Sequence, residues 1–266
     1  MKFLRYGPPG AERPGVLDAN GRIRDLSDMM SDLAGPNLAR LGRVDPDALP
    51  CAEGAPRLGV PVAGVGKVVC ISLNYADQAA EAGLALPLEP TVSLKATSSL
   101  AGPNDTIALH DAERVDWEVE LGVVIGRTAR SLREDEALAH VAGYVVINDV
   151  SDQAVQLGAS CDGFGPVGPW LVTPDEVGDP QRLALGLNLN GETMQKGSTA
   201  SMVFPVARIV SYLSGFMTLH PGDIVATGTP PGVGRRMTPP RYLRPGDVVE
   251  AWIEGLGRQR TVVEPE

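Results

Sequence analysis

Glu118 and Glu120 stand on either side of Val119 in Asp116-Trp117-Glu118-Val119-Glu120-Leu121, and Asp149 closes the apolar run Tyr144-Val145-Val146-Ile147-Asn148. On an extended strand, alternate side chains share a face. The run Trp117 to Ile125 therefore predicts Trp117, Val119 and Leu121 on one side, with Glu118 and Glu120 together on the other. Two like charges on neighbouring same-face positions repel, and the flanking sequence is too apolar for a solvated edge. A cation between them would turn that repulsion into binding. Carboxylate oxygens are hard ligands, which suits Mg²⁺ or Mn²⁺, with Ca²⁺ as a structural substitute, better than Zn²⁺. A solvated strand face carrying ordinary acids explains Glu-x-Glu as well. Asp149 at the end of a strongly apolar strand brings the two readings level, and the residues alone decide no further.

The elements that must hold these acids are mostly short strands. Val68 to Ile71, Thr91 to Lys95, Trp117 to Ile125, Ala142 to Val150, Leu183 to Asn190, Ile224 to Thr227, Val248 to Ile253 and Gln259 to Val263 read as strands, and Asn190-Gly191 is a hairpin signal. Helices are predicted over Tyr75 to Ala82, ended by Gly83, over Ser131 to His140 and over Phe204 to Leu213. Residues 1–62 read as a small N-terminal domain: a strand over Met1 to Tyr6, a hairpin, a helical pattern from Ser27 to Leu41 and a proline-rich linker. Residues 63–266 form the larger, catalytic domain. The pattern predicts an α+β, β-rich fold with a mixed or mainly antiparallel core and peripheral helices.

The chain has 266 residues, 43% of them apolar, and a net charge of −10. That acidity argues against a nucleic-acid partner, since phosphate neutralisation needs clustered Lys and Arg. No run approaches a membrane span of about 20 apolar residues. The start lacks a signal peptide's apolar stretch, and Cys51, Cys70 and Cys161 are few and scattered, so a cytoplasmic location is expected.

From Val65 to Val263 the sequence resembles the fumarylacetoacetate hydrolase family. The resemblance is carried by Ile71-Ser72-Leu73-Asn74-Tyr75, Gly102-Pro103-Asn104-Asp105, the strand containing Glu118 and Glu120, and Asn148-Asp149-Val150-Ser151. Gly165 to Trp170, Thr227-Gly228-Thr229-Pro230-Pro231-Gly232-Val233-Gly234 and Leu243 to Val249 follow in the same order. It implies a mixed β-sandwich roll, a homodimer, and Mg²⁺ or Mn²⁺ held by Glu118, Glu120 and Asp149. It also implies a 2-oxo acid or 1,3-dicarbonyl substrate handled through a metal-stabilised enolate, by C–C hydrolysis, decarboxylation, tautomerisation, dehydration or isomerisation. Asn74, Tyr75, Gln156, Gly228 and Thr229 are the expected substrate contacts, the last two through backbone N–H groups and the threonine hydroxyl.

Three positions depart from the family pattern. Gln78 stands where hydrolytic members carry the histidine that, with the retained Glu81, activates water. Glutamine orients water but has no useful basicity near neutral pH. Gln153 and Ala159 stand where an arginine and a lysine are usual, which predicts a less anionic substrate. His110, His140 and His220 fall in loop or surface positions and offer no substitute. The expected catalytic groups are Glu81, Gln78 and Lys95, with Lys95 read either as the pocket's remaining cation or as a salt bridge at a strand end. Asp77 and Asp152 are further acid candidates. A non-catalytic metal-binding or dimerisation relative is the competing class.

Overall fold

The computed structural model describes all residues except Arg43, His110 and Glu266. Its centre is a nine-stranded sheet whose order is Ile23–Asp25, Arg13–Leu17, Lys2–Tyr6, Leu171–Val172, Val141–Asn148, Val119–Ile125, Ile224–Ala226, Val68–Ser72 and Thr91–Lys95. Neighbours are antiparallel except Ile224–Ala226 with Val68–Ser72. A six-stranded sheet packs against it, led by the Ala184–Leu189 and Glu192–Ser198 hairpin and Val248–Ile253. This is the β-rich mixed architecture that the strand pattern predicts.

The Val119–Ile125 strand shows why the sheets stack. Val119, Leu121, Val123 and Ile125 enter one core with Leu185, Leu187, Ala251 and Ile253 of the second sheet. Val124, from the opposite face, joins Val68, Val145, Ile147 and Ile224 in another core. Each such buried side chain contributes about 1.5–3 kcal/mol. The alternation that buries this strand twice also carries Glu120 away from the inter-sheet core. The hairpin turn forms as predicted, with Asn190 and Gly191 both at positive φ.

Several elements are shorter than expected. The helical pattern from Ser27 to Leu41 yields only a 3₁₀ turn over Gly35–Arg40, because Gly35 sits at φ 48° and Pro36 starts the turn. Asp32 meanwhile spends its side chain on Leu33 N and Arg5. The expected helix from Ser131 to His140 is an α-turn over Glu134–Ala137 followed by a 3₁₀ turn over Leu138–His140. The helices Ala76–Glu81 and Val206–Phe216 match their expected positions. Lys2–Tyr6 pairs with Leu171–Val172, so the N-terminal strands extend the main sheet directly.

Candidate active site

The three acids meet at one pocket. The strand predicted from Trp117 begins instead at Val119, because side chains replace the ladder just before it. Trp117 N donates to Asp116 Oδ1 at 2.9 Å, and Glu118 N donates to Asn148 Oδ1 at 3.1 Å. The neighbouring strand places Ile147 opposite Glu120 and Asn148 opposite Val119, and Asp149 N then donates to the Glu118 carbonyl at 2.8 Å. That register brings Asp149 beside both glutamates. Together with Cys70, Ser72, Leu73, Gln78, Ser93, Gln153, Ala159, Gly228, Thr229 and Arg235 they line a cavity of about 200 Å³. A larger cavity of about 780 Å³ lies against the N-terminal strands. The carboxylate in its wall, Asp105, is paired with Arg57, so the smaller cavity, where the three acids meet, is the candidate site.

Charge inside the small cavity is unbalanced. Burial, then repulsion from Asp149 and Glu118, raises the Glu120 pKa well above its ordinary value against the Gly228 N–H and Lys95. Burial also raises Glu118, to about 7, although Arg235 opposes the rise. Asp149 holds Lys95 Nζ at 2.7 Å, and Arg235 Nη1 bonds both Glu118 Oε1 and Asp116 Oδ2. Four carboxylates (Asp116, Glu118, Glu120, Asp149) thus face two cations (Lys95, Arg235), leaving an excess of two negative charges when all are ionised. Among the described residues no three His, Cys, Asp or Glu side chains form a closed ligand cluster. Glu118 is drawn to Arg235 and Asp149 to Lys95. The donor set nonetheless fits a hard divalent cation in ligand type and in charge.

Of the other expected residues, Gln78 lines the cavity, and its buried Oε1 has no hydrogen-bond partner among the described residues. Lys95 forms the salt bridge that was one of its two expected readings, its buried ammonium held by the candidate ligand Asp149. Glu81 is a correction: it is exposed, outside the lining, and accepts from Gly232 N at 3.2 Å. Asn74 is another, because its fully buried amide clamps Phe204 and Thr227 rather than facing the cavity. Tyr75 is buried beneath the lining, its hydroxyl without a partner among the described residues and its pKa raised by burial and by Glu120. Gln156 is carried out to solvent on the 153–157 loop.

Gly228 and Thr229 reach the cavity with the Gly228 N–H and the Thr229 hydroxyl already used. Gly228 N donates to Glu120 Oε2 at 2.7 Å. Thr229 Oγ1 donates to the Val119 carbonyl and accepts from Gln195 Nε2, both at 2.8 Å. Gly228 sits at φ 96°, and a Cβ there would meet Asn74 Cβ at 2.9 Å, so only glycine lets this loop approach so closely. Asp152 is buried and caps Ala154 N, while Asp77 caps Gln78 N. His140 is half-buried and His220 exposed, neither lining the cavity, and His110 lies outside the described residues. Arg235 was not foreseen from sequence. The available signal was a basic residue directly after the glycine-rich Thr227–Gly234 loop.

The fumarylacetoacetate (FAA) hydrolase C-terminal family model matches residues 67–264. The chain is 54% identical over 273 residues to the 2,4-didehydro-3-deoxy-L-rhamnonate hydrolase of Sphingomonas sp. (strain SKA58), covering 99% of this chain and 96% of that one. A fumarylacetoacetate hydrolase from Exiguobacterium antarcticum is similar in structure, with a TM-score of 0.89, 38% identity and full coverage of both chains. Maleylpyruvate hydrolase from Sphingobium sp. SYK-6, in complex with manganese (II) ion and pyruvate, gives 0.83 at 29% identity, covering 100% of this chain and 99% of that one. Together with the strand-rich fold and the shared order of motifs, these matches make the chain a member of the fumarylacetoacetate hydrolase family.

Proposed function

We propose that this enzyme hydrolyses a C–C bond of a 2,4-dioxo acid, with Mg²⁺ or Mn²⁺ held by Glu118, Glu120 and Asp149. The observation that carries the proposal is the convergence of Glu118, Glu120 and Asp149 on one cavity that also holds an unpartnered glutamine amide oxygen. When bound, the cation supplies Lewis-acid stabilisation of the enolate that develops. Lys95 fixes the orientation of Asp149, and Gly228 N fixes that of Glu120. Gln78 accepts a hydrogen bond from water at its free Oε1 and aims that water into the cavity. The water oxygen ends in the new carboxylate, and the carbon between the two carbonyls takes the proton. Similarity to a hydrolase of a 2,4-didehydro sugar acid and to a maleylpyruvate hydrolase supports this substrate class.

The test is turnover of an acylpyruvate in ¹⁸O-labelled water. Label entering the released acid, with activity lost in EDTA and restored by Mn²⁺, is the expected result. Full turnover in EDTA would sink the metal reading. The absence of basicity at Gln78 favours a second reading, decarboxylation or tautomerisation with no water attack. Loss of CO₂, or keto–enol exchange, with no labelled acid released selects it. The apolar side chains exposed on and before the edge strand Thr91–Lys95 (Leu84, Leu86, Leu88, Val92, Leu94) support a homodimer. No helix among the described residues is long and apolar enough to cross a membrane.

A further inference from the structure

A carboxylate-bearing substrate needs a cation free to receive it. Lys95 is not free: its Nζ is held by Asp149 Oδ1 and the Val150 carbonyl, at 2.7 and 3.0 Å. Gln153 and Ala159 in the same wall bring no charge. Arg235 remains. Its backbone N–H and its Nη1 both donate to Asp116 Oδ2, at 3.0 Å each. Asp116, fully buried, is itself pinned by Gly234 N at 2.7 Å and Trp117 N at 2.9 Å. Gly234 cannot be replaced without a clash, since a Cβ there would lie 2.0 Å from the Arg241 carbonyl and 2.9 Å from Asp116 Oδ1. The turn that carries Arg235 is therefore locked onto the base of the cavity, whereas the adjacent Arg236 is exposed.

Among the described residues, every hydrogen bond of the Arg235 guanidinium leaves from Nη1. Nε and Nη2 form an edge with no protein acceptor, on a side chain that is only 27% exposed. A planar fork anchored at one nitrogen, with its side edge unspent, matches the two oxygens of a carboxylate. We infer that Arg235 is the specificity-determining cation of this site, holding the substrate's carboxylate through Nε and Nη2 while Asp116 holds the arginine. This rests on the metal-dependent reading above. When Glu118 turns to a cation, Asp116 keeps Arg235 in place. On this reading the loss of charge at positions 153 and 159 relocates the anion site rather than removing it, in place of the less anionic substrate expected from those two positions.

The test uses calorimetry on the full chain with three probes: Mn²⁺ alone, then oxalate and acetylacetone with the Mn²⁺-loaded protein. Arg235→Gln is expected to keep or tighten Mn²⁺ binding, because Glu118 loses a competing partner. It should weaken oxalate by about tenfold or more and leave acetylacetone, which has no carboxylate, unchanged. Arg235→Lys, which keeps the charge but not the fork, should fall between. With an acylpyruvate substrate the loss should appear in KM far more than in kcat. A wild-type protein that binds no Mn²⁺ would overturn the underlying metal reading. Normal Mn²⁺ binding with oxalate affinity unchanged in both variants would overturn the role of Arg235 alone, as would equal losses for oxalate and acetylacetone.

Discussion

Asp18 and Glu120 are both buried carboxylates, and their surroundings could hardly differ more. Asp18 accepts from Asn20 N, Arg22 N, Arg22 Nε and Arg24 Nε, all at 2.8–2.9 Å. Burial alone would raise its pKa, but these partners win and hold it well below the usual carboxylate range. Glu120 has one backbone donor and two acidic neighbours, and its pKa goes the other way. The first acid is satisfied by its own neighbourhood and fixes the shape of the N-terminal strands. The second is left short of partners, which a fold maintains only when something else completes the site.

The sharpest way to break this contrast is to neutralise each acid in turn. Glu120→Gln should reduce Mn²⁺-dependent turnover by more than about 100-fold. Its Tm should hold or rise, because a repelling buried charge is gone. Asp18→Asn should do the reverse, lowering Tm by several degrees with kcat unchanged, since two arginines lose their acceptor. Thermal melts and steady-state kinetics on the same preparations measure both. If Glu120→Gln melts far lower while keeping its activity, the two acids are alike and the contrast fails.

A smaller effect is expected at the loop that feeds Glu120 its one backbone donor among the described residues. Gly228→Ala forces a Cβ to within 3.0 Å of the Ile71 carbonyl at a positive φ. It should cost about 1–3 kcal/mol of stability, read from denaturant unfolding. Mn²⁺ affinity should also fall, because Glu120 loses its orientation. Unchanged unfolding would show that the loop has room to move, and that Glu120 is not held as tightly as its geometry implies.

The same contrast explains what was legible in the sequence. Period-two alternation around Glu120 is local, so the strand and its two faces could be read before folding, whereas the meeting with Asp149 was expected only from the family resemblance. The shared order of motifs then gave the fold. Hydrogen-bond commitments between distant segments could not be read. Asn74 clamps a chain segment about 130 residues away, Thr229 is tied to Val119 and Gln195, and Asp116 reaches across to Gly234 and Arg235. Asn74, Gly228 and Thr229 look like ligand-binding groups by type and become scaffold by partner. Arg235, which no sequence motif marked, becomes a cation of the cavity for the same reason. The N-terminal helix failed locally, where Gly35 and Pro36 interrupt a pattern whose apolar spacing alone suggested a helix.

The mildest prediction concerns protons. A cation binds the ionised carboxylates, so in the metal-free protein it competes with whatever protons they hold. Glu118, raised to about 7, is largely protonated at pH 6 and largely ionised at pH 8, and Glu120 lies above its ordinary value as well. Apparent Mn²⁺ affinity should therefore climb as pH rises through 7, and the slope should flatten once Glu118 is ionised. Proton release per Mn²⁺, from calorimetry in two buffers of different ionisation enthalpy, should be greater at pH 6 than at pH 8. Asp18 is ionised across this whole window, so Asp18→Asn should leave the release unchanged, whereas Glu118→Gln should lower it at pH 6. Affinity that stays flat between pH 6 and 8 would mean that Arg235 and Lys95 already offset the buried charge. The pocket would then be as well satisfied as the acid in the N-terminal strands.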